Sequence, residues 1–284
     1  SIIFSIRPNE VFSVSMHKTL FLICLCSTIL HGQNSLSNVG GRSWGMGHAM
    51  VAIAHGQTFF YNPAGLGFVE NSYASSSFDS RFDISGLSTV SLSGVLAKPW
   101  ATIGFGAERF GDQLYNENRA GIAIAKNTGR VSLGLKASYM SVTAAEISSQ
   151  NALLTEFGVM AKLSSSVNIG FHAHNITGAS LFPTDRIPTI LRLGGAYHPL
   201  NKITVSAETE YIPGQNAYVK AGVEYMLFEN FFMRTGINTG IRTNHFGMGY
   251  GNKKWVFDYA VNTHPTLGLS HHFSLQMNLP KLSK

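Results

Sequence analysis

The sequence predicts an all-β protein: a transmembrane antiparallel β-barrel of about 14 strands with an N-terminal hatch in its lumen. Three observations support this prediction. Hydrophobic residues make up 44% of the chain and charged residues 13%, about half of the roughly 25% usual in soluble domains. No run of about 20 apolar residues occurs beyond the extreme N-terminus, so a helical membrane protein is excluded. From Asn71 to Leu279, apolar and polar residues alternate with period two.

The N-terminus has the pattern of a secretory signal peptide. Met16 opens a short basic segment, and the apolar run Thr19–Leu30 follows it. We therefore expect residues 1–15 to be untranslated upstream sequence and residues 16–33 to be a signal peptide, cleaved after Gln33. The alternative is a short membrane anchor, although a dozen apolar residues are too few to span a bilayer.

Both cysteines, Cys24 and Cys26, lie inside this predicted leader. The exported chain would then have no cysteine, which excludes disulfides, thiol catalysis and cysteine metal sites. The formal net charge of +6 comes from scattered residues and not from a cluster of lysines and arginines. We therefore expect no nucleic-acid partner.

The strand pattern assigns residues 70–284 to the barrel and leaves residues 34–69 as a hatch or plug. In the final strand the apolar face carries Leu267, Leu269, Phe273, Leu275, Met277 and Leu279, and the other face carries Gly268, Ser270, His272, Ser274 and Gln276. Strands of 9–11 residues are long enough to cross a bilayer when tilted, and an even number of them is typical of outer-membrane barrels.

A soluble β-sandwich would give the same alternation, so other features must separate the two folds. The strands are long for a sandwich, and aromatic residues collect near strand ends, as in interfacial girdles. The polar face is rich in small residues with isolated charges, as in a narrow lumen. The predicted luminal charges are Lys136, Arg192, Glu208, Glu210, Lys220, Glu224, Arg234 and Asp258. These features favour the barrel.

A compact turn is predicted in the segment before the first strand, at Asn62, Pro63, Ala64 and Gly65. Proline fixes its own φ and drives the preceding residue to extended geometry, while glycine permits a tight reversal. The turn either belongs to a gating hatch or simply leads into the first strand.

Four motifs resemble the PorV/PorQ-like family, which are FadL-type outer-membrane β-barrels of Bacteroidota. They are Gly41–Gly47, Tyr61–Leu66, Arg186–Gly194 and Leu267–Leu275. The resemblance implies a 14-stranded barrel in the outer membrane of a Gram-negative bacterium, with the Asn-Pro-Ala turn in a luminal hatch. Members of the family transport hydrophobic compounds or serve type IX protein secretion.

Few residues form a pattern that indicates catalysis or metal binding. His172 and His174 share a strand face, which suits metal binding, but no third ligand is placed by the sequence. Glu208 and Glu210 also share a face, and opposite charges on neighbouring strands favour a luminal ion-pair network over acid–base catalysis. No serine lies in a nucleophile motif. We therefore expect no catalytic residue, no metal and no cofactor.

The sequence thus predicts a non-catalytic outer-membrane barrel that assists type IX secretion or transport. The alternatives are a FadL-like transporter of hydrophobic small molecules, an outer-membrane enzyme or a passive pore. Expected partners are outer-membrane lipid, other secretion-system components or secreted cargo, and a hydrophobic small molecule.

Overall fold

The fold is taken from a computed structural model, which describes residues 38–145, 147–182, 185–240 and 243–280. The predicted upstream extension (residues 1–15) and signal peptide (residues 16–33) lie outside the described residues. The same holds for residues 34–37 at the start of the predicted hatch.

Sixteen strands are described, and fourteen of them form one closed antiparallel barrel. The barrel strands are β1 Tyr73–Ser80, β2 Ser88–Ala97, β3 Thr102–Gly111, β4 Tyr115–Asn127, β5 Val131–Ala144, β6 Ile147–Lys162, β7 Val167–His174, β10 Ile190–Leu200, β11 Ile203–Tyr211, β12 Tyr218–Phe228, β13 Phe231–Asn238, β14 Thr243–Gly251, β15 Trp255–His264 and β16 Gly268–Asn278. The strands β8 Ser180–Phe182 and β9 Asp185–Arg186 form a separate hairpin in the loop between β7 and β10.

The first and last strands close the barrel by pairing with each other. Tyr73 is opposite Asn278 and Ser80 is opposite His271, so the pairing runs the whole length of β1. Closure leaves no sheet edge whose backbone groups would be unsatisfied in lipid. The predicted barrel of about 14 strands is confirmed, and the β-sandwich is excluded.

The two faces of the wall differ in polarity. Outward-facing side chains are large, apolar and exposed; Leu92, Ile122 and Leu193 each keep 60–62% of their surface accessible. Inward-facing side chains one residue away are buried and mostly small, polar or charged, such as Ser91 and Arg192. An apolar exterior around a polar interior is the arrangement expected of a barrel in a bilayer, where lipid replaces water outside.

The barrel has a turn end and a loop end. The turn end carries the start of β1, the end of β16 and the short turns 98–101, 128–130, 163–166, 201–202, 229–230 and 252–254. The loop end carries the three longest connections, 81–87, 175–189 and 212–217, together with short ones such as 112–114 and 265–267. There Leu181 and Ile187 pack against Leu154 and Met140 on the lumen side of the wall, an apolar contact that the sequence did not predict.

Two short α-helices and a 3₁₀-helix precede β1. These are α1 Gly41–Gly45, α2 Thr58–Tyr61 and the 3₁₀-helix Pro63–Phe68, and a further 3₁₀ turn, Ser85–Leu87, precedes β2. Within the described residues, none of the helices has both the length and the apolar character needed to cross a membrane.

Candidate functional site

Residues 38–69, called the hatch below, run along the inner wall of the barrel. Helix α1 contacts β13–β16, and the 3₁₀-helix contacts β3–β6 on the other side. Nearly all hatch side chains are buried, including charged Arg42 and polar Asn62. The hatch therefore occupies the lumen and forms an interface with most of the barrel wall.

Glycines in the strands make room for this close approach. A Cβ atom added at Gly134 would collide with the backbone of Ala64, and one at Gly222 with the backbone of Met46. The lumen-facing glycines that contact the hatch in this way are Gly104, Gly106, Gly134, Gly158, Gly170, Gly194, Gly222, Gly236 and Gly247. Strand glycines often mark such close approaches, so the glycine-rich polar face is explained by the hatch.

The first part of the hatch, residues 38–53, is held by charged groups and is called the polar half. Arg42 makes a bidentate ion pair with Glu224, with N–O distances of 2.8 and 2.6 Å. Glu224 also binds Arg234 on the next strand at 2.6 Å, and Arg234 binds Asp258 at 2.7 Å. A hatch arginine thus adds to a row of alternating charges on the barrel wall.

A second wall carboxylate holds the hatch through its backbone. One oxygen of Glu208 accepts hydrogen bonds from the amides of Met50 and Val51, at 3.0 and 2.9 Å. The other oxygen is 3.0 Å from Lys220 and 3.6 Å from Arg192. Hydrogen bonds to an ionised acceptor are stronger than neutral ones, so this contact is an anchor.

The same two cations also bind Glu210, which completes the ion-pair network predicted from the sequence. Arg192 is 2.7 Å from Glu210, and both Lys220 and the hydroxyl of Tyr218 donate to the same carboxylate. All four charged groups of this network are at most 4% exposed. Paired charges on neighbouring strands satisfy one another, so a charged lumen is compatible with burial.

A third wall carboxylate, Asp79, lies at the start of the hatch. It accepts a hydrogen bond from the amide of Gly40 at 3.3 Å and contacts His272 at 2.8 Å. The His272 ring stacks on Trp44 of α1 with ring centroids 3.7 Å apart, and its other nitrogen contacts Asn262 at 2.7 Å. Asp79 and His272 together position α1 against β1 and β16.

His48 lies beside Trp44 at the end of the polar half. Its ring is 4.3 Å from that of Trp44 and 5.5 Å from that of His245, centroid to centroid. Burial lowers the pKa of His48 well below its usual value, and the charges of His245 and Lys220 lower it further. The imidazole is therefore neutral while the hatch is docked at neutral pH.

The second part of the hatch, residues 57–69, is called the packed half. The amide nitrogen of Asn62 donates to the carbonyl of Val51 at 2.7 Å, and its amide oxygen accepts from the backbone N–H of Ala64 at 3.0 Å. Ser132 on β5 donates to the carbonyl of Ala64 at 2.7 Å. Asn62 thus caps the 3₁₀-helix and joins the two halves.

The predicted turn at Asn62, Pro63, Ala64 and Gly65 occupies the start of this 3₁₀-helix. Asn62 is extended, with φ −153° and ψ 108°, as the following proline requires. Gly65 was expected to permit a backbone reversal, but its φ is not positive. It is instead needed for space, because a Cβ there would collide with the side chain of Thr58.

Lys136 and two histidines surround Glu156 on the wall beside the packed half. Lys136 is 3.1 Å from one oxygen of Glu156, His172 is 2.9 Å from the other, and His174 is 3.3 Å away. The lysine ammonium also lies 4.6 Å from the ring centroid of Phe59, a cation–π contact with the hatch. Within the described residues, no group of three or more potential ligands has the geometry to hold a metal.

All eight charges predicted to face the lumen are buried on its wall. Three residues that hold the hatch or complete these pairs were not predicted from the sequence: Arg42, Asp79 and Glu156. The alternation of side chains along a strand could have placed Asp79 and Glu156 on the luminal face, because each lies an even number of residues from other luminal positions of its own strand. The pairing of Arg42 with Glu224 could not be predicted from the sequence, because the two residues are 182 positions apart in the chain.

The fold resembles solved outer-membrane channels. The crystal structure of the Pseudomonas putida toluene transporter TodX matches with a TM-score of 0.66 and 12% identity, over 85% of this chain and 97% of that chain. A TodX monoaromatic hydrocarbon channel with the deltaS2 mutation matches with a TM-score of 0.69 and 13% identity, over 87% and 100%.

No protein-family description matches the sequence. No curated protein matches it either. At such low identity the structural matches establish a shared fold: this chain is a closed 14-stranded barrel of the kind seen in TodX.

Proposed function

We propose that this protein is a non-catalytic transporter of hydrophobic small molecules in the outer membrane of a Gram-negative bacterium. The observation that supports it best is a lumen occupied by a hatch that polar groups of the wall hold in place. The apolar outer face supports a membrane location. The likeness to a toluene transporter supports the class of substrate.

The anchors are arranged so that the hatch can leave without exposing isolated buried charges. Each wall carboxylate that holds the hatch has a second partner on the wall itself. The pairs that would remain are Glu224 with Arg234, Glu208 with Lys220, and Asp79 with His272. Removing one member of a buried pair costs about 3–5 kcal/mol because an unpaired charge is left. The wall pairs reduce that cost for the barrel, and Arg42 becomes hydrated with the released hatch.

A disulfide between the hatch and the wall tests whether release is required. Gly45 on α1 faces Gly247 on β14: a Cβ built on Gly45 lies 3.2 Å from the Cα of Gly247, and one on Gly247 lies 3.0 Å from the Cα of Gly45. The two backbones are closer than is usual for a disulfide, so cysteines at both positions can be joined only once the backbones move slightly apart. Uptake by the reduced double variant must therefore first equal that of the wild type. The natural cysteines, Cys24 and Cys26, are replaced by serine in this experiment.

The measurement is the initial rate of radiolabelled toluene uptake by Gram-negative cells that produce the Gly45→Cys/Gly247→Cys protein. We expect uptake to stop under oxidising conditions and to return with a reductant. The reduced double variant and the oxidised wild type serve as controls. The proposal would be contradicted if cells with the wild-type protein, and cells with the double variant in either redox state, took up toluene no faster than cells lacking the protein.

A role in type IX protein secretion is the second candidate. It is supported by the resemblance of Gly41–Gly47 and Tyr61–Leu66 to the PorV/PorQ-like family, since both motifs lie in the hatch. Partners would then be other secretion components or the secreted cargo. Deletion of the gene in a host with type IX secretion tests it: lost surface display of cargo with unchanged hydrocarbon uptake would favour this role over transport.

A further inference from the structure

The two ends of the barrel carry different charges. Among the described residues, the exposed basic side chains of the turn end are Lys98, Lys126, Arg130, Lys162, Lys202, Lys253 and Lys254. The exposed acidic side chains there are Glu70 and Glu229. At the loop end, the exposed charges described are balanced: Asp83 and Asp112 against Arg109 and Arg186. The turn end is therefore a strongly basic rim next to the apolar outer wall.

Three of these basic residues, Lys98, Lys126 and Arg130, lie on or next to two adjacent connections. The turn 98–101 joins β2 to β3, and the turn 128–130 joins β4 to β5. Strands β3 and β4 are hydrogen-bonded neighbours, with Thr102 opposite Ala125. Lys126, the next residue of β4, therefore lies level with the end of the turn 98–101. Lys98 and Arg130 lie on the two turns themselves. These three exposed residues lie at neighbouring positions on the same rim, and we call them the basic triad.

An apolar groove on the outer wall includes Lys126 of the basic triad in its lining. The groove has a volume of about 420 Å³ and is lined by Trp100, Ile124, Leu133, Leu135 and Phe157, with Lys126 at its end. Trp100 is 56% exposed and Leu135 equally so. Tryptophan is enriched where hydrocarbon meets headgroups, so the groove passes from the acyl region of a bilayer to its surface.

We propose that this groove and the basic triad form a binding site for an anionic phospholipid. An acyl chain would lie along the apolar groove, and the phosphate would be held by Lys98, Lys126 and Arg130. Basic residues near a membrane surface each contribute about 1 kcal/mol of attraction to anionic lipid. In outer-membrane barrels the short turns face the periplasm, so the ligand comes from the phospholipid leaflet. The inference rests on the proposed membrane location and not on transport.

Quenching of Trp100 by brominated lipid tests the site. The protein is purified with Trp255→Phe, so that Trp100 is the remaining tryptophan exposed to lipid, because Trp44 is 4% exposed and lies in the hatch. Phosphatidylglycerol and phosphatidylcholine with the same brominated chains are compared over the same range of mole fractions. We expect phosphatidylglycerol to quench at about a hundredfold lower mole fraction, and Lys98→Gln/Lys126→Gln/Arg130→Gln to abolish the difference.

A matched variant separates a specific site from general attraction. Lys202→Gln/Lys253→Gln/Lys254→Gln removes the same charge from the same rim, and we expect it to keep the preference. Equal quenching by both lipids in the parent protein, or equal loss of preference in both triple variants, would overturn the site. Displacement of the brominated lipid by lipid A more readily than by unlabelled phosphatidylglycerol would overturn its assignment to phospholipid. Lys126→Gln alone provides a milder variant, expected to weaken binding about fivefold.

Discussion

The two halves of the hatch are held in the lumen by different forces. The polar half, residues 38–53, depends on wall carboxylates that bind Arg42, backbone amides and the Trp44 region. Both halves lie close against wall glycines, and the packed half, residues 57–69, depends on this fit together with the apolar contacts of Phe59 and Leu66. Close fit to the wall therefore holds both halves, and ion pairs and protonation add to it in the polar half. The packed half is also the part of the hatch that is joined directly to β1.

The largest effect is expected from removing the charge of Glu224. Glu224→Gln leaves both Arg42 and Arg234 without their shared anion, and breaking a buried ion pair costs about 3–5 kcal/mol. We expect the polar half to open about a hundredfold more often. The measurement is the rate at which a maleimide labels Ser43→Cys, a position that is fully buried in the docked hatch. Lys202→Gln, an exposed charge on a turn, should leave the rate unchanged; an equal increase in both variants would refute the role of Glu224.

A smaller effect, confined to the packed half, is expected from Gly134→Ala. The added methyl group would collide with the backbone of Ala64, and overpacking typically costs about 1–3 kcal/mol. Hydrogen exchange should then become faster in residues 57–69 and stay unchanged in residues 38–45. Gly195→Ala is the matched control, because its Cβ would have its nearest neighbour at 3.5 Å. Uniformly faster exchange over the whole hatch would show that the halves are not independent.

Asn62→Ala should weaken the connection between the halves. It removes the cap of the 3₁₀-helix and leaves the carbonyl of Val51 without its donor, and loss of such a cap costs about 0.5–2 kcal/mol. We expect faster hydrogen exchange at both Val51 and Ala64. Asn127→Ala, an exposed position at the end of β4, should have no effect. Protection that is retained at Val51 would contradict this linking role.

Acid should weaken the polar half through His48. Burial lowers the pKa of the docked His48 well below its usual value of 6.5, so the released hatch binds the proton more readily. Docking is therefore fully stable above about pH 6.5 and is weakened progressively as the pH falls below it. In a protein with Trp100→Phe and Trp255→Phe, the fluorescence of Trp44 should shift to the red between pH 7.5 and 5.

The control for this pH effect is His48→Asn. His48 has a φ of 65°, a left-handed conformation that asparagine tolerates better than most residues, and asparagine does not titrate. The groups facing the ring, Trp44, His245, His272 and Lys220, remain in place. An unchanged red shift in His48→Asn would assign the pH dependence to one of the other histidines.

The barrel wall was predictable because its periodicity is local. Each strand shows which side chains share a face, so the eight luminal charges, including Glu208 and Lys220, could be named before the strands were paired. The contacts of the hatch were not predictable in this way. Arg42 meets Glu224 only after the barrel closes, and the approach of Ala64 to Gly134 depends on the path of an irregular segment.

The histidine pair shows the same limit. The sequence placed His172 and His174 on one face and left the third group open, because strand neighbours cannot be assigned from periodicity alone. The structure brings Glu156 to them from β6, together with Lys136 from β5. The hairpin β8–β9 was also missed, since strands of two or three residues carry no readable alternation.

Conductance in planar lipid bilayers tests the central claim most directly. If the hatch closes the lumen through its polar anchors, the reconstituted wild-type protein should show no steady conductance at neutral pH, and Glu224→Gln should show repeated channel openings. Steady conductance of the wild type, equal to that of the variant, would contradict the account.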